Sequence, residues 1–574
     1  MKTLQGISRA LGIATVGAVL ILASCAPAAS PAQPTAPVTS APAQQIAPAQ
    51  PAVPAAAAPV APAVRPTATP PPPASPSPVG SRVKKGGILR QVSPSAPGDL
   101  DLIAASSLIT LSPLGLNYDG LVKEDPLKPG QVAPDLAERW TISSDGAKVT
   151  FALRKGVTFH NGRPFTATDA QHSVKRWMTD NEHMAPTLGA VIKSVEIADA
   201  STLVLNLKFP YPDLFKTLMM DWASVVPADQ PTGSNIKEVV GTGPFKFKSF
   251  QSGVSYEVVK NDKYWNRDAP HLDGVTVYII TDQNTGFAAF RAGRVDITAP
   301  NYITAQQYKL ADSQMKGEAT AYLYANGNWR TIYMPIGKKP WSDARVRRAV
   351  FIAIDRKQAL ETVDKGLGSV GGVLPPSMGG LTPEELKTIP GWREPKSVDV
   401  AEAKKLLAEA GFPKGFKTDI FYRSGGDYLS MATFLKDQLA PLGIDATLSV
   451  RTGAAFYDYS YARSYDLFAH RHPWAPPSPD AIVAQYYRSG GARNFSDVAD
   501  PKLDEMIDRQ MSTLDWQERK KQLRAIEMYL YDNAFASVSH WGSYPQAWQK
   551  WVRDFVPGES ILSNVRMEAV WLDR

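Results

Sequence analysis

His470-Arg471-His472 places two imidazoles at i and i+2 around a guanidinium, a triplet able to meet a metal or an anion. No cysteine or carboxylate stands near enough to complete a metal site, so the metal reading is weak. The chain's one cysteine, Cys25, excludes an internal disulfide framework and any cysteine-cluster metal or iron–sulfur site. Gly366-Leu367-Gly368-Ser369-Val370-Gly371 satisfies G-x-G-x-x-G. A dinucleotide fingerprint follows a strand and opens a helix. This one follows a helical pattern and leads into Pro375-Pro376, so a loop is expected. No G-x-S-x-G, Walker A or H-E-x-x-H occurs. His160 lacks a second ligand at chelating spacing and is expected to be a packed or surface histidine. The sequence thus marks no catalytic residue, metal site or cofactor.

The elements that carry these residues belong to a chain of 574 residues with 62 Lys+Arg, 55 Asp+Glu, 44% apolar and 20% charged residues. That is too apolar for a wholly disordered chain and long enough for two or three cores. Residues 1–80 hold three basic residues (Lys2, Arg9, Arg65) and no acidic one, so the formal charge of +7 leaves +4 on the other 494. Nucleic-acid binding is read from clustered Lys/Arg, and beyond pairs such as Lys84-Lys85 and Arg347-Arg348 the longest basic run is the three residues Arg519-Lys520-Lys521. No nucleic-acid partner is expected.

Lys2 and Arg9 form a short basic region, followed by fourteen uncharged residues, 10–23, suited to an export signal and short for a bilayer span. Leu22-Ala23-Ser24-Cys25 resembles the lipobox of bacterial lipoproteins, which implies a diacylglyceryl group on Cys25. One acyl chain anchors marginally, at about 0.8 kcal/mol per buried CH₂, and two anchor stably. Residues 26–80 contain 17 Pro and 18 Ala in 55 residues and no aromatic. Such a segment cannot bury enough apolar surface to offset chain entropy and favours extended polyproline II. At about 3.1 Å per residue its reach is roughly 170 Å. It reads as a disordered tether, and the protein as lipid-anchored outside the cytoplasmic membrane, periplasmic or extracellular, without crossing it.

From Gly86 onward the pattern is mixed α and β. Residues 140–153 alternate about Asp145-Gly146, a hairpin signal. Strands at 194–197 and 202–207 flank Asp199-Ala200-Ser201. Thr166-Ala167-Thr168-Asp169 and Asp399-Val400-Ala401-Glu402 have capping-box spacing, the second starting a helix over 401–410 that stops at Gly411. Helices are also expected over 343–363, 503–511 and 516–531. In Gly241-Thr242-Gly243-Pro244 the glycines are expected to supply positive φ for a tight turn. Without a strict βαβ rhythm or internal repeat, several α/β lobes are expected rather than one barrel.

The ordered set Gly86-Gly87-Ile88-Leu89-Arg90, Tyr118-Asp119-Gly120-Leu121, 133–140, 151–169, Gly241-Thr242-Gly243-Pro244-Phe245, Asn261-Asp262-Lys263-Tyr264-Trp265, 291–297, 345–349, 353–356 and 403–411 resembles family 5 extracellular solute-binding proteins. These are the peptide/nickel-type receptors of ABC importers. The resemblance covers roughly 86–565 and implies an α/β, two-lobed periplasmic-binding-protein fold (class II, cluster C-like) with a subdomain inserted in lobe I. Lobe I would comprise 81–122, 221–318 and 540–574, the inserted subdomain 123–220, and lobe II 319–539. A monomer is expected to capture a peptide or peptide-like solute in the cleft and deliver it to permease and ATPase subunits. A non-peptide solute (an opine, a sugar-derived compound or a metal chelate), a signalling or chaperone role, and a secreted hydrolase are the alternatives.

The resemblance places a ligand-packing aromatic in the loop 471–480, here Trp474, beside Arg471, and backbone contacts at Ser95, Ala96 and Pro97. Asn494, Trp541 and Trp329 are further expected cleft residues. Peptide-binding members carry an Asp three residues after the loop's Trp, which pairs with the peptide ammonium. Here that position is Pro477. A buried ammonium left unpaired costs about 3–5 kcal/mol, so a free peptide N-terminus is disfavoured unless Asp480 or another acid moves in. Arg471, His470 and His472 suit a carboxylate instead.

Overall fold

The computed structural model describes residues 83–98, 100–104, 108–181, 183–233, 238–472, 478–536, 538–563 and 566–574. The export segment, Cys25, the Pro/Ala-rich stretch, Trp474 and Pro477 lie outside the described residues.

Local signals explain the hairpin first. Strands Ala137–Ile142 and Lys148–Leu153 pair antiparallel across a turn in which Gly146 takes φ +69° and Asp145 Oδ1 accepts from Ala147 N at 3.0 Å. Ile192–Asp199 and Thr202–Leu207 extend this into a four-stranded antiparallel sheet. Helix Ala167–Trp177 packs on it, started by the Thr166/Asp169 capping box.

The larger sheet has eleven strands among the described residues. Two long strands, Ala319–Tyr333 and Val538–Gln549, pair antiparallel at its centre. On one flank Ile88–Ser93 runs parallel to Gly274–Ile279 and Ile297–Thr298. On the other, Lys417–Arg423 runs parallel to both Asp445–Arg451 and Leu467–His472. Parallel neighbours need crossovers, here helices Tyr428–Leu439 and Gly453–Tyr461. Because Lys417–Arg423 lies between its two partners, the chain leaves it on one side and returns on the other. At such a reversal the carboxyl ends of the strands open a crevice. Leu467–His472, buried along nearly its whole length, reads as the apolar run expected of a strand covered on both faces.

Three expectations are corrected. The pattern over 343–363 is two helices, Ala344–Ala353 and Arg356–Val363, because Asp355 turns extended and caps the second through Gln358 N. Helix Ser397–Glu409 starts before Ala401, and the Asp399 carboxylate does not cap it. Instead that carboxylate accepts from Gly391 N at 3.0 Å and Arg393 Nε at 2.6 Å. Gly241 and Gly243 do not have positive φ. A Cβ on Gly241 would lie 2.0 Å from Asn117 O, and one on Gly243 2.5 Å from Asn117 C, so close backbone approach requires glycine here. The helices Pro501–Met511 and Trp516–Asp532 stand close to the expected bounds. Gly366–Gly371 is a loop that contains the two-residue strand Gly368–Ser369. Among the described residues no helix is long and apolar enough to cross a membrane.

Candidate functional site

The carboxyl ends of the two parallel groups face one cavity of about 410 Å³, within the range of small-molecule sites. Ser93 and Pro94, at the end of Ile88–Ser93, and Ala299, Pro300 and Asn301, after Ile297–Thr298, line one side with His183. Arg423 and His470 to His472 end their strands on the other, joined by Tyr428, Phe456, Tyr457 and Tyr461 from the crossover helices. Arg493, Phe495 and Tyr544 complete that wall.

The lining includes three arginines and no carboxylate among the described residues. Arg471 Nη1 lies 3.2 Å from Asp427 Oδ1, and its guanidinium sits 5.2 Å over the Tyr428 ring. Asp427 also holds the buried Arg330, which in turn pairs with Asp364. Arg493 donates to Tyr486 Oη at 3.1 Å and to His183 Nδ1 at 2.9 Å. The Arg423 side chain has no hydrogen bond or ion pair among the described residues, and its guanidinium lies over two rings, Phe456 at 5.6 Å and Tyr457 at 5.7 Å. Tyr457 and Tyr461, one helical turn apart, are 46% and 48% exposed although aromatic, which leaves two ring surfaces open at the cavity.

His470 and His472 contribute no charge. Burial, reinforced by Arg423, Arg493, Arg471 and Arg330, holds His470 well below the ordinary imidazole range. Burial, His470 and Arg493 do the same for His472. The Tyr333 and Tyr486 hydroxyls contact the two ring nitrogens of His472, the latter at 2.9 Å. A neutral imidazole gives one donor and one acceptor, so both ring nitrogens are occupied. His160 is likewise packed, held to Gly243 O at 3.1 Å. No cluster of three or more metal-ligating side chains occurs among the described residues.

Of the sequence-predicted residues, Arg471 stands in the cavity wall. Ser95, Ala96 and Pro97 follow the lining pair Ser93-Pro94 but do not line the cavity themselves. Trp329 and Trp541 are fully buried, 5.4 Å apart, and Trp329 packs 4.7 Å from His472, so both lie beneath the wall. The Asn494 side chain binds Val498 N and O and Arg488 O, tying its loop while its neighbours Arg493 and Phe495 face the cavity. Asp480 cannot stand in for an acid at Pro477, because Gln510 Nε2 at 2.5 Å and Arg519 Nη2 at 3.0 Å hold it buried. Sequence reasoning missed Arg423, Tyr457 and Tyr461. The aromatic run Phe456-Tyr457-Asp458-Tyr459-Ser460-Tyr461 was the available signal.

Residues 131–494 match the family model described as bacterial extracellular solute-binding proteins, family 5 middle. Heme-binding protein A of Haemophilus influenzae is 27% identical over 456 residues, 71% of this chain and 79% of that protein. The ABC transporter-associated periplasmic binding protein DppA from Helicobacter pylori, solved with the peptide STSA, superposes with a TM-score of 0.70 at 23% identity over 86% of this chain and 99% of that one. The PBP AgaA from A. tumefaciens R10, solved with agropinic acid, gives 0.71 at 24% identity over 85% and 99%. At these identities the two structures show the shared fold.

Proposed function

This chain belongs to the family 5 bacterial extracellular solute-binding proteins, and we propose that it captures a carboxylate-bearing, peptide-like solute whose amino end is blocked or absent. It is a binding protein of the ABC-importer type rather than an enzyme. One observation carries the solute class: three guanidiniums and no carboxylate line the cavity among its described residues. An anion finds charge-assisted donors there, Arg423 being uncommitted, and rings at Tyr457 and Tyr461 for its apolar part. An ammonium finds no acid among the described lining residues.

The cavity lies between the proposed lobe I (81–122, 221–318 and 540–574) and lobe II (319–539), so a solute touching both stabilises the closed form by its differential affinity. The same wall favours a second reading, a non-peptide acid such as an opine, because nothing in it selects for an amino terminus. The monomer and its lipid anchor at Cys25 would present the closed form to the permease.

Calorimetry decides the solute class with three versions of one tripeptide: free, N-acetylated, and N-acetylated with a C-terminal amide. The N-acetylated acid should bind, the free form more weakly, and the amide weakest. Binding of the free peptide alone, or equal binding of acid and amide, overturns the proposal.

A further inference from the structure

Asp213 precedes helix Leu214–Leu218 in the inserted subdomain, whereas Ser478, Asp480, Gln510 and Arg519 belong to lobe II, a division that rests on the proposed two-lobed receptor. Arg519 Nη2 donates to Asp213 Oδ2 at 2.7 Å and to Asp480 Oδ2 at 3.0 Å. Ser478 Oγ donates to the same Asp213 oxygen at 2.7 Å. Gln510 Nε2 holds Asp480 Oδ1 at 2.5 Å, and Gln510 Oε1 accepts from Arg519 Nε at 3.1 Å. All five side chains are buried. The other titratable groups facing the cluster are Tyr211, from the segment before Asp213, and Glu559, 4.0 Å from Lys216.

One guanidinium therefore serves two buried carboxylates, which leaves a surplus negative charge in a medium that penalises it. With the lobes apart, Arg519 and Asp480 are a matched pair, and closing brings in the second acid. We propose that Asp480 takes up a proton from water when the lobes close and returns it when they open, so that acid favours the closed form.

The electrostatics agree. Burial raises Asp480 to about 6, with Arg519 opposing and Asp213 adding to the rise. An open-state carboxyl near the ordinary value of about 3.9 would leave a window between pH ~4 and ~6 in which only the closed form holds the proton. There the closing equilibrium falls about tenfold per pH unit as pH rises, and above that window it is flat.

The test uses solute-free full-length chain carrying Cys25→Ser, with nitroxide labels at Lys193→Cys and Lys521→Cys, both exposed, and distance distributions recorded at pH 5 and pH 7.5. The closed-to-open ratio should be about tenfold higher at pH 5. Asp480→Asn and, independently, Asp213→Asn should abolish the response. Each removes one acid of the pair, so if one variant misfolds the other decides. An unchanged ratio between the two pH values, or a response that survives in either folded variant, overturns the inference. Failure of the receptor reading looks different: the pH response would persist while no tripeptide shifts the distance.

Discussion

The guanidinium of Arg423 lies 5.6 Å from the centroid of the Phe456 ring, at the edge of the cavity. Among the described residues it meets no carboxylate, unlike Arg471, which shares Asp427 with Arg330. A charge held only by rings is available to an incoming anion without first breaking a salt bridge.

Arg423→Gln should therefore weaken binding of the N-acetylated tripeptide acid by roughly ten- to a hundredfold, the worth of a hydrogen bond to a charged group at about 1.5–3 kcal/mol. The same variant should cost no more than about 1 kcal/mol in stability, because only the contacts of the guanidinium with the Phe456 and Tyr457 rings are lost. Calorimetry and urea unfolding check the two halves. Unchanged affinity would remove Arg423 from the site.

His160 supplies a pH test of the fold. Burial lowers it to about 4, partly offset by its bond to Gly243 O. Its native value lies below the unfolded value of about 6.5, so in that interval the unfolded chain binds a proton that the native chain does not. Its contribution is thus present above pH ~6.5 and lost on acidification toward pH ~4, by up to about 3 kcal/mol. Unfolding at pH 7 and pH 4.5 should show a smaller acid-induced loss in His160→Gln than in the parent. An identical loss in both would discount the histidine.

Gly241→Ala should destabilise the fold by about 1–3 kcal/mol or more, the range of an overpacked core. The added Cβ would fall 2.0 Å from Asn117 O and 2.7 Å from Tyr118 Cδ1. Gly253→Ala meets no atom within 4 Å, though φ is +73° there, and separates backbone strain from steric overlap. A thermal shift in Gly241→Ala no larger than in Gly253→Ala would count against close approach.

Cys25→Ser should leave the protein folded but release it from membranes, since the proposed acyl anchor depends on that thiol. Fractionation of cells expressing each form checks this, and a mutant that still pellets completely would contradict it.

Much of the fold was legible because its signals are local. Asp145-Gly146 turns the hairpin and Thr166/Asp169 starts a helix through bonds within a few residues. The break at Asp355 was harder to read, because apolar spacing runs on through it while Asp355 and Gln358 carry the cap. The site was only half legible. Arg471 announced itself beside two histidines, but Arg423, Tyr457 and Tyr461 reach the same cavity through parallel crossovers that no short window reveals. Trp329 and Trp541 were expected at the cleft for their ring chemistry. Their register opposite each other and His472 puts them on the same sheet face as that histidine, covered by it rather than open to the cavity.

That covered face gives the molecule a built-in optical reporter. His472 lines the cavity on one side and lies 4.7 Å from the Trp329 indole on the other, with Trp541 5.4 Å beyond. An occupant of the cavity alters the field around two indoles it never touches. Their emission should shift on filling, in the unlabelled protein, and Trp329→Phe should silence much of that signal while leaving the cavity wall in place.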